Sequence, residues 1–106
     1  MKILTVCDQG NNRSVHLAHL LKYWNNDVLP VGLDTNSKET LEMLYKWADA
    51  IIVVEDAMRQ VIPIEFIQKV KVWNVGEDVY SRPFNTQLHQ KAKQYLEENK
   101  GWLKND

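Results

Sequence analysis

Apolar and polar positions fall in blocks along this chain, and the spacing inside each block predicts its shape. Residues 2–6 (KILTV) are a short apolar run rich in strand formers. Over 14–24, Leu17, Leu20, Leu21 and Trp24 fall at i, i+3, i+4 and i+7, one face of a helix. Residues 27–33 (DVLPVGL) read as a second strand, and Pro30 places it at a sheet edge because proline cannot donate to a ladder. Leu41, Leu44, Tyr45 and Ala48 repeat the helical spacing, with Ser37 as the expected N-cap. Residues 50–54 (AIIVV) are a continuous apolar run, the pattern of a parallel strand covered on both faces. A short helix over 56–62 is expected to stop at Pro63, with a further turn over 63–68. Residues 69–75 (KVKVWNV) alternate as a fourth strand would. A loop over 76–84 leads to a last helix over 86–100, with Asn85 as its cap and Leu88, Ala92, Tyr95 and Leu96 facing inward.

The order βαβαβαβα predicts an α/β sandwich with a mostly parallel sheet covered on both faces. Ligands in such sheets bind beyond the carboxyl ends of the strands, at a topological switch point. The first βα loop is therefore the prime candidate for a site, and Cys7 opens it.

Composition narrows the function classes. The 106 residues suit one domain spanning 1–106. A net charge of −1 gives no basic footprint for nucleic acid or an anionic membrane. No run approaches the ~20 apolar residues a membrane helix needs, and no signal-peptide architecture precedes the first strand. Cys7 is the one cysteine, so an internal disulfide, a four-thiolate zinc site and a two-cysteine redox motif are all excluded. A cytoplasmic, reducing setting is expected. The lone thiol is then either a small buried hydrophobe or a reactive group.

Its neighbours favour the second. The loop reads Cys7-Asp8-Gln9-Gly10-Asn11-Asn12-Arg13-Ser14 and runs from a strand into an amphipathic helix. A helix N-terminus presents unpaired backbone N–H groups and the positive end of the helix dipole, which attracts an anion and stabilises a thiolate. Gly10, Asn11 and Asn12 tolerate positive φ, so the backbone can curl into a nest of N–H donors. Arg13 adds a planar fork matched to phosphate oxygens. An arginine at a helix start is unfavourable against the dipole unless an anion is bound there. Ser14 is placed to donate its hydroxyl to the sulfur. The side chain of Asp8 would repel a bound phosphate, and it is expected to turn to solvent.

This Cys-x5-Arg-Ser pattern resembles that of the low-molecular-weight protein tyrosine phosphatases, especially short bacterial members of that superfamily. Cys7, Gln9, Arg13 and Ser14 fit the family's loop. The stretch Lys46-Trp47-Ala48-Asp49-Ala50-Ile51-Ile52-Val53-Val54-Glu55 resembles its third strand, and Gly76-Glu77-Asp78-Val79-Tyr80 falls where it carries its general-acid loop. The resemblance runs over nearly the whole chain in the right order. Val15 and Val79 stand where the family usually has proline, and the chain is shorter than typical members.

The resemblance implies a four-stranded sheet in the order 2-1-3-4, flanked by helices in three layers. It implies a cysteine-dependent phosphomonoester hydrolase, most simply a protein tyrosine phosphatase, acting through a phosphocysteine. Cys7 would be the nucleophile, Arg13 the transition-state clamp and Asp78 the general acid, with Glu77 as the rival acid. Asp8, Gln9, Gly10, Asn11, Asn12, Arg13 and Ser14 would bind the phosphate, and Tyr80 would wall the mouth. No cofactor or metal is expected, because loop dipoles and Arg13 supply the charge stabilisation. The expected partner is a phosphotyrosine protein or a small phosphoester.

Rival readings make different demands. A non-catalytic phosphate-binding or regulatory module would use the same loop without turnover. A thioredoxin-coupled arsenate reductase needs further cysteines, and this chain has none. A phosphotransferase-system IIB-like phosphocarrier needs neither Arg13 nor a late acid loop. His16 and His19 stand at i, i+3 on the first helix, but no third metal ligand accompanies them. The charged run from Lys91 to Lys100 reads as a solvated helix face.

Overall fold

The computed structural model describes residues 1–8, 12–22, 26–75 and 86–103. Within them lie β1 (Lys2–Cys7), α1 (Arg13–Lys22), β2 (Asp27–Gly32), α2 (Lys38–Trp47), β3 (Ala50–Val53), β4 (Val70–Val72) and α3 (Thr86–Glu98). The four strands pair in parallel in the order β2-β1-β3-β4. Pro30 sits on the edge strand β2, as its missing N–H requires.

Residues 3–7 of β1 and all of β3 are buried, because these central strands are covered on both faces. The chain steps from β1 outward to β2, then back across β1 to β3. Right-handed crossovers therefore put α1 and α2 on opposite faces, and α3 packs against α1. The reversal of strand order makes the carboxyl ends of β1 and β3 the switch point of the sheet.

Core packing follows the helical spacing. Leu17 and Leu21 of α1 are fully buried, each contributing about 1.5–3 kcal/mol by leaving water. Leu88, Ala92 and Leu96 form the inward stripe of α3, and Tyr95 stacks on the buried Trp73 at 5.9 Å between ring centroids. The N-cap of α2 is the expected one: Ser37 Oγ accepts from Thr40 N–H at 3.1 Å. The segments expected as short helices are 3-10 turns, Asp56–Val61 and Ile64–Lys69, divided at Pro63.

The fourth strand is shorter than its alternation predicts. Trp73 N–H still donates to Val53 C=O at 2.8 Å, but Val75 N–H donates to Val54 C=O at 3.1 Å. A regular parallel ladder advances both strands by two residues between such bonds. Here β3 advances by one, so the register slips and the regular strand stops at Val72. Trp24 and the proposed cap Asn85 lie outside the described residues.

Candidate active site

Cys7 ends β1 and Arg13 begins α1, so the candidate loop spans the strand–helix junction at the switch point. Backbone hydrogen bonds hold this end of β1 on both sides. Leu33 N–H donates to Cys7 C=O at 2.9 Å, Asp34 N–H to Asp8 C=O at 2.7 Å, and Val54 N–H to Val6 C=O at 3.3 Å. The start of α1 is held too. Thr5 Oγ1 donates to Ser14 C=O at 2.7 Å, and both residues are fully buried. His16 N–H donates to Asn12 C=O at 3.1 Å, which closes the first turn of the helix on Asn12.

Cys7 is buried, and its Sγ lies 3.0 Å from Ser14 Oγ. The neutral thiol donates to the hydroxyl. In the thiolate state the hydroxyl proton turns to the sulfur instead, so the pair suits a group that alternates between thiolate and bonded sulfur. The Arg13 side chain has no exposed surface, and its Nη1 pairs with Glu55 Oε1. Its Nη2 lies 3.5 Å from Asp8 Oδ2. The Glu55 side chain keeps 26% of its surface exposed, and that of Asp8 keeps 48%. A buried guanidinium needs such partners, since an unpaired charge in a dry interior is costly.

The structure therefore brings Cys7, Asp8, Arg13 and Ser14 together, with Asn12 at the helix start. The Asp8 carboxylate departs from expectation: it is half-exposed and turned toward Arg13, because the guanidinium attracts it. Gln9, Gly10, Asn11, Glu77, Asp78 and Tyr80 lie outside the described residues. Two site residues escaped the sequence reading. Glu55 follows an apolar run and reads as the end of a strand. Thr5 reads only as a strand former. His16 faces His89 of α3, with Nε2 and Nδ1 2.9 Å apart, while His19 is exposed. No group of three metal-ligating side chains occurs among the described residues.

No family model and no curated protein matches this chain. Solved structures do. A mutant of YwlE from Bacillus subtilis superposes with a TM-score of 0.62 at 20% identity, over 92% of each chain. The tyrosine phosphatase Wzb from Escherichia coli, in complex with sulphate, gives 0.59 at 16% identity, over 92% of this chain and 96% of that one. A cysteine-to-serine mutant of the YwlE arginine phosphatase, with its active-site serine phosphorylated, gives 0.57 at 19% identity, over 95% and 99%. A four-stranded parallel sheet in the order β2-β1-β3-β4, shared with these structures over nearly the full chain, is the low-molecular-weight protein tyrosine phosphatase fold.

Proposed function

We propose that this protein is a cysteine-dependent phosphomonoester hydrolase acting on phosphotyrosine in proteins. The observation that carries the reading is the junction of β1 and α1, where Cys7 Sγ lies 3.0 Å from Ser14 Oγ and Arg13 opens the helix. The likeness to phosphatase structures, one with a phosphorylated residue in place of its active-site cysteine, supports it.

In the proposed reaction the loop N–H groups and Arg13 bind the phosphoryl group and stabilise charge on its equatorial oxygens. The Cys7 thiolate attacks phosphorus in line, a P–S bond forms and the P–O bond to the phenol breaks. Asp78 gives its proton to the departing phenol oxygen. Water then attacks phosphorus and loses a proton to Asp78, and the P–S bond breaks to release phosphate and restore the thiolate. Ser14 steadies the sulfur whenever it carries charge. A reducing cytoplasm suits a chemistry that needs the free thiolate.

The test is p-nitrophenyl phosphate hydrolysis by wild type, Cys7→Ser and Asp78→Ala. Cys7→Ser is expected to abolish turnover, and Asp78→Ala to slow mainly substrates with poor leaving groups. Unchanged activity in Cys7→Ser refutes the reading. Phosphoarginine is a second substrate class, favoured by the arginine phosphatase among the structural neighbours. A panel of phosphotyrosine, phosphoserine and phosphoarginine peptides separates the two.

A further inference from the structure

Beside the site, at the same end of the sheet, lies a cleft of about 760 Å³, within the size range of ligand pockets. It is enclosed by the segment after β2, by one side of α2 and by the stretch that follows β3. Its lining includes the apolar side chains of Leu33, Leu41, Tyr45 and Met58. Burial pushes the Tyr45 hydroxyl above its ordinary range. Val61, 60% exposed, adds apolar surface.

The charged lining is one-sided. Asp34, Glu42 and Glu65 join Asp8 and Glu55, against Lys38 as the one cation among the described lining residues. Asp8 and Glu55 are also the two carboxylates that pair with Arg13. The cleft is thus continuous with the candidate active site.

We infer that this cleft docks the basic flank of the phosphorylated protein, a segment carrying lysine or arginine within a few residues of the phosphoresidue. The inference rests on the phosphatase reading and deepens it. Charge complementarity selects this occupant. Asp8 and Glu55 already pair with Arg13, and Glu42 with Lys46, so the negative charge this lining offers a ligand comes mainly from Asp34 and Glu65. A phosphate dianion with a neutral or acidic flank would add further negative charge there. A basic flank offsets that repulsion. Lysine and arginine also match the two surfaces together, since their methylene stems cover apolar lining while their heads reach carboxylates. A metal ion is the weaker occupant, because no three ligating groups converge among the described residues.

The test uses phosphotyrosine peptides flanked by lysine, serine or glutamate. Turnover is measured with wild type and with the Asp34→Asn/Glu65→Gln double variant. Binding is measured with Cys7→Ala protein, with or without the same two changes. Wild type is expected to favour the lysine flank over the glutamate flank by about tenfold in kcat/KM, with the ratio falling as salt rises. The same order is expected in binding. The ratio should shrink to about threefold or less in the double variant, and reading a ratio within each protein removes any general loss of activity. Equal use of all flanks by an enzyme that hydrolyses p-nitrophenyl phosphate overturns the cleft assignment and leaves the phosphatase reading intact. If p-nitrophenyl phosphate is not hydrolysed, the phosphatase reading fails. The binding series on Cys7→Ala then still decides the cleft, and equal binding of the three peptides overturns it.

Discussion

Glu55, the second residue beyond β3, pairs with the guanidinium of Arg13, the first residue of α1. The pair joins residues 42 positions apart in sequence. It fixes a fork whose proposed work is to hold phosphate oxygens. Glu55→Gln keeps the size of the side chain and removes its charge. Removing one partner of a largely buried pair leaves the other charge under-compensated, so a stability loss of about 1–3 kcal/mol is expected. Denaturant unfolding reads that loss. A fall of about tenfold in kcat/KM for aryl phosphates is expected beside it, from a less well-aimed guanidinium. Unchanged stability and kinetics would deny Glu55 this positioning role.

Asp8 carries the same charge and should behave in the opposite way. Its carboxylate is half-exposed and 3.5 Å from Arg13 Nη2, so solvent screens the pair and it adds little to stability. Its negative charge nevertheless stands beside the proposed phosphate site. Asp8→Asn is expected to tighten competitive inhibition by inorganic phosphate about two- to fivefold, with little change in the unfolding midpoint. Weaker inhibition would mean that Asp8 orients Arg13 more than it repels the ligand.

Ser14→Ala removes the hydroxyl 3.0 Å from Cys7 Sγ. Hydrogen bonds to charged groups are worth about 1.5–3 kcal/mol, which converts to a fall of about 10- to 100-fold in kcat. KM should change little, because the bond strengthens as charge returns to the leaving sulfur. Steady-state kinetics on p-nitrophenyl phosphate separate the two parameters. An effect confined to KM would place Ser14 in substrate binding instead.

Much of the fold was legible because burial on two faces and burial on one face leave different patterns. The run Ala50–Val53 reads as a central strand, and Leu17, Leu20 and Leu21 read as one side of α1. The end of β4 was not legible, since a one-residue slip against β3 leaves no mark on the alternation of 69–75. Within the candidate site, the juxtaposition of Cys7, Arg13 and Ser14 was readable because they stand close together in one loop. Glu55 was hidden by distance. Only the β1–β3 register, with Val6 beside Val53, carries the residue beyond β3 to the loop. Thr5 was hidden for another reason: a threonine in a strand looks like a strand former, and its bond to Ser14 C=O depends on where α1 starts.

The most direct measurement of the central claim is a rapid acid quench during turnover of an aryl phosphate, followed by mass spectrometry of the peptide containing Cys7. The expected result is one phosphoryl group on Cys7 in wild type, with both label and turnover absent in Cys7→Ala. Turnover that persists in Cys7→Ala, or wild-type turnover with the phosphoryl group on another residue, would contradict a phosphocysteine mechanism.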